Sequence, residues 1–394
     1  MARDRRLFNL KEKFLFLSEA AIEIKQVTNR RDLRVFIDFP YRLYRDEPNW
    51  VPPLRMTQTS LFHAQHLFWQ NNPHQFFLAM KNGMPVGRIA AFINKEHNSF
   101  HKTHKGFFGF LESKNDQNSF TALLMAAESF AKENRCDEIY GPFNPSLHYE
   151  LGILVAGFET PPYFMLTHNY NYYEPSIVGA GYSKLKDFYS YKFESTQYQP
   201  TEKMRRVNDY IKHKFRVSIR EARKDLFNQE LEIFYNIYND AFAGHWGFTP
   251  MEKKEFIYLA KDLKSIIDAH IILIAEINDE PVAFLLSLPN LNEVLIKIRN
   301  GRLFPWGIFK ILSAKNNLRS LRVITAAVKS KYGHLGLGAL LYPELMQRAL
   351  KYNYTMSELS WVVEDNSKMI SVAEDLGAIR YKTYRVYSKS LTNR

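Results

Sequence analysis

One succession of strands and helices is written twice into this sequence. Apolar alternation and helical spacing predict a strand over 22–27, a helix over 29–44 capped by Asn29, strands over 76–80, 86–94 and 103–111, a helix over 119–134, and strands over 138–140 and 187–193. The second half repeats the order, with a helix over 229–243, strands over 271–277, 282–288 and 321–328, a helix over 338–351, a strand over 357–363, a helix over 367–375 and a strand over 381–387. The expected fold is therefore α/β (α+β), two lobes each built on a central mixed, mostly antiparallel sheet flanked by helices. The joint falls at 197–201, which lacks apolar periodicity and carries Pro200. The expected division is a helical N-terminal extension over 1–19, a first lobe over 20–198 and a second over 199–394 with an apolar insertion over 290–317.

Composition narrows the partners. A single cysteine, Cys136, permits no intrachain disulfide and no cysteine-rich metal site, which fits a reducing compartment. The histidines show no metal-ligand pairing, and His97, His101 and His104 would lack a helix if Thr103 begins a strand, so no metal is expected. No run reaches the ~20 apolar residues of a membrane span. The opening residues break their apolar stretch at Lys11, Glu12 and Lys13, which makes a poor signal peptide. A cytoplasmic location follows, with peripheral contact at the inner face of the membrane left open. Lys and Arg exceed Asp and Glu by 53 − 41 = 12, so an anionic partner is expected: a phosphorylated cofactor, an acidic carrier protein, anionic lipid or nucleic acid. Nucleic acid is disfavoured, since no finger, basic-heptad or aromatic single-strand signature occurs. Past the joint, Lys203, Arg205, Arg206, Lys212, Lys214, Arg216, Arg220, Arg223 and Lys224 form either a solvated helix face or a docking surface for phosphate or an acidic carrier.

The segment from Val328 to Leu341 carries the clearest chemistry. A β-rich run ends at Val328 and Lys329, and a helix begins near Gly338, across the turn Gly333-His334-Leu335-Gly336-Leu337-Gly338-Ala339. Glycines there let backbone N–H groups approach an anion while the helix N-terminus attracts it, which makes a pyrophosphate cradle; the bland alternative is a tight packing turn. A Cβ added at Gly336 is expected to obstruct the ligand while leaving stability little changed.

The continuation through Glu358-Leu359-Ser360-Trp361-Val362-Val363-Glu364-Asp365-Asn366 to Gly377-Ala378 resembles the GNAT superfamily of acyl-CoA-dependent N-acyltransferases. That family has a Q/R-x-x-G-x-G/A cofactor loop, then a strand ending in Asn and a helix closing in Gly-Phe. Gly333 stands where the family usually has Gln or Arg, and Ala373 where many members carry a tyrosine that protonates the departing thiolate. The first half resembles a degenerate copy: Gly83-Met84-Pro85-Val86-Gly87-Arg88 is similar to the family hairpin and Ala180-Gly181-Tyr182 to its closing pair, yet no glycine loop follows 107–113. The resemblance implies acyl-CoA held in the second lobe only, by Val328, Lys329, Gly333, His334, Leu335, Gly336, Leu337, Gly338, Ala339 and Asn366, with backbone N–H groups near Val328 polarising the thioester. Strings such as Gly141-Pro142-Phe143-Asn144 and His245-Trp246-Gly247-Phe248-Thr249-Pro250 resemble a tandem branch that includes bacterial ceramide synthases.

Amide formation needs a group that takes the amine proton. Glu364 and Glu358, on or ending a strand of the second lobe, are candidates, as are His148 and Glu150 on the polar loop after Asn144. Asn144, His245, Trp246 and Trp306 are candidate walls of the acceptor pocket. Trp306 lies in the insertion, with Leu303, Phe304, Phe309 and Leu312 beside Lys297, Arg299, Arg302, Lys310 and Lys315; this segment either lines an acyl tunnel, packs between lobes or rests on a membrane surface. Leu7, Leu10, Phe14 and Leu17 invite the same readings. The expected activity is transfer of an acyl group, long-chain by this reading, from acyl-CoA to a lipophilic primary amine such as a sphingoid base. The alternatives are an acyl carrier protein as donor with an amino acid acceptor, or a non-catalytic acyl-CoA or lipid-binding protein.

Overall fold

The computed structural model describes residues 21–314 and 317–392, so the extension expected over 1–19 lies outside the described residues. Fifteen strands are described. Those of the first half are β1 (Glu23–Gln26), β2 (His74–Lys81), β3 (Met84–Phe92), β4 (Lys105–Ser113), β5 (Glu138–Gly141), the short β6 (Phe143–Asn144) and β7 (Glu150–Leu151), β8 (Ile153–Ala156) and β9 (Ser183–Glu194). The second half supplies β10 (Val217–Glu221), β11 (Leu273–Ile277), β12 (Glu280–Pro289), β13 (Ser320–Val328), β14 (Met356–Val363) and β15 (Ile379–Ser390).

The two halves do not form separate sheets. One 13-stranded sheet runs β1-β2-β3-β4-β5-β15-β9-β14-β13-β12-β11-β10, with β8 also on β15. The last strand of each half is therefore exchanged: β15 pairs with β5 of the first half, β9 with β14 of the second, and the two pair with each other from Ile379↔Lys192 to Ser388↔Ser183. Ion pairs reinforce the crossing. Arg385 Nε and Nη2 donate to the two oxygens of Asp187 at 2.6 and 2.9 Å, and Arg385 Nη1 donates to Glu174 at 2.5 Å.

Helices cover both faces. In the first half, Phe120, Leu123, Leu124 and Ala127 of the Gln117–Glu133 helix recur at helical spacing and pack on Ile89, Phe108 and Ile139. In the second, Leu340, Leu341, Leu345 and Ala349 of the Gly338–Lys351 helix do the same against Leu273, Leu285 and Leu321. The opposite face of β11 to β13 is covered by Leu231, Phe234 and Ile237 of the Phe227–Phe242 helix.

The helices predicted over 338–351 and 367–375 match their observed bounds, and Asn29 caps the first helix through its side chain. The basic run past the joint is the Glu202–Phe215 helix and the strand β10, with Ile211 the buried contact of the helix. One expectation is corrected: His97 and His101 do share a helix, Lys95–His101, because β4 starts two residues later than Thr103 and Asn94 caps the intervening turn. Because β15 is a shared central strand, urea unfolding should show a single transition. Arg385→Ala, which strips the strongest partner from buried Asp187, should lower its free energy by roughly 2 to 3 kcal/mol. Two separate transitions would contradict the exchange.

Candidate active site

β13 and β14 pair in parallel only from Ser320↔Met356 to Val323↔Leu359. Beyond that rung they diverge. At the same point Ile324 opposes no residue of β12, since the register shifts between Leu286↔Thr325 and Ser287↔Val323. The bulge leaves Ile324 as the residue of β13 without a partner on β12. Val328, near which backbone polarisation is expected from the sequence, pairs with Ala283, and the Lys329 N–H donates to the Val282 carbonyl at 2.8 Å.

The gap opens into a cavity of about 620 Å³. Trp361 on β14, Ala326 on β13, Phe284 on β12, Ile272 at the start of β11 and Arg223 just past β10 all line it, roofed by the helices Phe227–Phe242 and Lys253–Leu263. Four inter-strand steps of ~4.8 Å give it a run of about 19 Å across the sheet. Its walls are mainly aromatic and aliphatic. Polar side chains gather near the gap: Arg322, Ser360, His148, Tyr342 and Asn366.

Gly338, the first residue of the Gly338–Lys351 helix, lines the cavity. The helix is preceded by Leu337, which has no side-chain cap, so the N–H groups of its first turn are not taken by a capping oxygen. A Cβ built at Gly333 or Gly338 meets nothing within 4 Å, the open space an anion cradle requires. Gly336 differs, with φ of +70°, a conformation costing an L-residue about 1 to 2 kcal/mol. Any side chain at Gly336 therefore costs stability by itself, contrary to the sequence expectation. The basic Glu202–Phe215 helix flanks this turn, for a Cβ at Gly336 would lie 3.6 Å from Ile211 Cδ1.

The corresponding place in the first half is closed. β4 and β5 also part after Phe107↔Tyr140, but β6 fills the gap: a Cβ at Gly109 would lie 1.6 Å from the Phe143 carbonyl oxygen, and Asn144 Oδ1 accepts from the Phe110 N–H at 2.6 Å. The next helix is capped by Asp116, itself ion-paired with Lys81 at 2.8 Å, so a carboxylate occupies the place of an anionic ligand. The same plug carries two candidate bases. Asn144 pairs with Glu150 in the β6-β7 ribbon, and His148, at its turn, lines the cavity of the second half.

The candidates separate clearly. His148 reaches the cavity; its Nδ1 lies 3.3 Å from the Tyr238 hydroxyl, and burial depresses its pKa to about 4, so it is neutral at physiological pH. Glu150 has its carboxyl raised by burial, opposed by a hydrogen bond from Asn144 and the charge of Arg322. Asn144 is thus a holder of Glu150 rather than a wall of the large cavity. Glu358, fully buried, accepts from Ser360 Oγ at 2.7 Å and from the Tyr381 hydroxyl; burial raises its carboxyl against the pull of Arg322. Arg322 in turn donates from Nε to Ser360 Oγ at 2.9 Å and from Nη1 to the Phe164 and Met165 carbonyls at 2.8 Å. Glu364 faces away, bound to Lys184 Nζ at 2.6 Å and the Asp187 N–H at 3.2 Å. Asn366 lines the cavity but commits its Oδ1 to the Met369 N–H as a helix cap. His245 and Trp246 line the cavity; Trp306 does not, standing 74% exposed on the outer surface.

Sequence reasoning missed Tyr342. It lines the cavity from the Gly338–Lys351 helix, its hydroxyl 3.6 Å from Met369 Sδ, while Ala373 is fully buried. The signal was its place one helical turn after Gly338. A second cavity, about 360 Å³ and polar, adjoins the first at His148 and is lined by Glu96, Glu252 and Glu255. Burial and the two neighbouring carboxylates lift Glu255 from 4.5 to about 7. The folded state thus binds a proton the unfolded chain releases, so stability should fall as pH rises from about 4.5 to about 7. Glu255→Gln should flatten that part of the pH dependence of the melting temperature; an unaltered profile would refute the assignment.

The chain matches no protein-family model. A tandem GNAT protein from the clavulanic acid biosynthesis pathway shares its fold with TM-score 0.56 at 9% identity, over 95% of this chain and 99% of that one. A GCN5-related N-acetyltransferase from Sphaerobacter thermophilus does so with TM-score 0.54 at 10% identity, over 94% and 96%. These likenesses define the class as a tandem GNAT fold. Protein YghO of Escherichia coli K12 is 33% identical over 379 residues, covering 93% of this chain and 95% of that protein. A protein named bacterial ceramide synthase, from Caulobacter vibrioides, is 34% identical over 382 residues, covering 95% and 99%. The chain belongs with these two proteins to the tandem branch of the GNAT superfamily of N-acyltransferases.

Proposed function

We propose that the protein transfers a long acyl chain from acyl-CoA to the primary amine of a lipophilic acceptor, with a sphingoid base the leading candidate, by direct attack in a ternary complex. The observation that carries this reading is the apolar cavity of about 620 Å³ that opens between β13 and β14 beside an uncapped helix N-terminus. An anionic, phosphate-bearing handle with an apolar chain suits the two ends of such a site. The name of the Caulobacter vibrioides relative supports the sphingoid acceptor.

In this reading the second lobe, 199–394, holds the donor. Its pyrophosphate meets the backbone of Gly333 to Ala339, and the backbone at the Ile324 bulge, where β13 has no partner on β12, polarises the thioester carbonyl. The amine nitrogen forms the new C–N bond as the C–S bond breaks. His148, neutral and at the cavity wall, takes the amine proton. Tyr342 stands in for the tyrosine absent at Ala373, although a thiol of pKa ~8.5 leaves with little help. Glu150 and Asn144 position the His148 turn, Glu358 belongs to the Arg322 network behind it, and Glu364 has an outer ion-pairing role. Asn366, His245 and Trp246 shape the cavity. The reaction is placed in the cytoplasm.

A donor carried on acyl carrier protein is the second reading, favoured by the exposed Lys203, Arg205, Arg206 and Lys214 beside the cradle. Thiol release from long-chain acyl-CoA and from the acyl carrier protein thioester, each offered sphinganine, amino acids and polyamines, separates the readings. Tight acyl-CoA binding with no turnover on any acceptor would leave a binding protein.

Gly338→Val should raise the acyl-CoA dissociation constant at least about tenfold, or ~1.4 kcal/mol, with the ligand-free melting temperature little changed; an unaltered affinity would remove the cradle. His148→Gln should spare acyl-CoA affinity and lower kcat roughly a hundredfold or more. Wild-type enzyme should show its acid limb near pH 4 rather than 6.5, and a kcat that survives the substitution would exclude His148 as the base.

A further inference from the structure

The insertion between β12 and β13 has two unlike sides. Its inner side is fastened to the first half of the protein: Leu295 and Ile298 pack with Val51, Arg299 Nη1 donates to the Trp50 carbonyl at 2.8 Å, and Asn292 Nδ2 donates to the Pro162 carbonyl at 2.8 Å. Packing between lobes therefore accounts for this side. It does not account for the other. Phe304, Trp306, Phe309 and Leu312 are 68%, 74%, 63% and 61% exposed, all within a nine-residue stretch that includes most of the Trp306–Ala314 helix. Such a cluster of large apolar side chains in water marks an interaction surface. Lys297, Arg302 and Lys310 are exposed around it, and none of the three is in an ion pair among the described residues.

We propose that this face docks on the surface of an anionic lipid bilayer, with Phe304, Trp306, Phe309 and Leu312 entering the headgroup boundary and Lys297, Arg302 and Lys310 meeting lipid phosphates. The charge around the patch selects the occupant: a second copy of this chain would bring like charges together, whereas an anionic bilayer brings the opposite sign. A helix of nine residues is too short to span a bilayer, so the contact is peripheral. The docking deepens the proposed function in one respect, since it places the enzyme where a lipophilic amine resides. Its test does not use acyl transfer and so succeeds or fails independently of that reading.

The full chain is co-sedimented with vesicles of phosphatidylcholine alone and of phosphatidylcholine with phosphatidylglycerol. Wild type should bind the anionic vesicles at least about tenfold more tightly than the neutral ones, and added salt should weaken the difference. Phe309→Ser with Leu312→Ser should reduce binding to both by about tenfold or more, and Lys310→Glu with Arg302→Glu should abolish the preference for phosphatidylglycerol, all with unchanged melting temperature. Absence of vesicle binding by wild type overturns the proposal, as does binding that survives the double serine variant. A lipid-free, concentration-dependent dimer that the serine variant dissolves would assign the patch to a second copy instead.

Discussion

The pairing of β9 with β15 is the interaction on which the rest of the molecule depends. Without it the sheet would split in two, each part ending on an open strand edge, β15 beyond β5 in one and β9 beyond β14 in the other, with unpaired backbone groups inside the protein. The pairing satisfies both edges and makes the two sheets one. It also fixes the two halves at a set distance and orientation, because the register from Ile379↔Lys192 to Ser388↔Ser183 leaves no freedom to hinge. Charge follows the same seam: Lys184 and Lys186 of the first half bind Glu364 and Asp365 of the second.

That rigidity lets one half become furniture for the other. Both copies inherit a point where two parallel strands part, and only the second keeps it open. In the first, Gly109 lacks a side chain so that the Phe143 backbone can enter the gap, and Asp116 supplies the negative charge at the helix N-terminus. The residues closing the first gap form the ribbon whose turn carries His148 to the cavity beside the second. Closure of the gap in one half and supply of a wall residue to the other are the same structural event. A separate module joined by a flexible linker could not hold an imidazole at that wall.

Local signals explain what was legible in the sequence. The helices at Gly338–Lys351 and Ser367–Asp375 are amphipathic with clear start signals, a glycine turn and the Asn366 cap, and periodicity sufficed for both. The glycine turn lies in the half whose gap is open, and a Cβ at Gly333 or Gly338 would meet nothing within 4 Å. The exchange was not legible, because β9 and β15 carry the alternation of any half-buried strand and nothing local states which edge each will meet. The insertion misled for a related reason. Apolar residues at 303–312 read equally as wall, core or surface, and only the exposure of Trp306 separates the choices. Glu364 and Glu358 differ in the same way: six residues apart on one strand end, one is buried in a polar network and the other ion-paired at the surface.

The opening itself needs a cause, since a parallel pair that stops after four rungs leaves peptide groups without partners. Arg322 supplies much of it. It sits in the register pair with Glu358 one rung before the strands part, ties β13 to β14 through Ser360, and reaches the Phe164 and Met165 carbonyls of the first half. Its guanidinium is almost fully buried, and Glu358 beside it wholly so. An unpartnered charge there would be costly, so the donors and acceptors hold one another in place. The wedge is thus anchored at its apex by a charged network that spans three segments, and beyond the apex the bulge at Ile324 aims β13 away from β14. Burial that raises the Glu358 carboxyl is opposed by the same guanidinium. One residue on the cavity wall thus both holds the apex of the gap and opposes the burial that raises the Glu358 carboxyl.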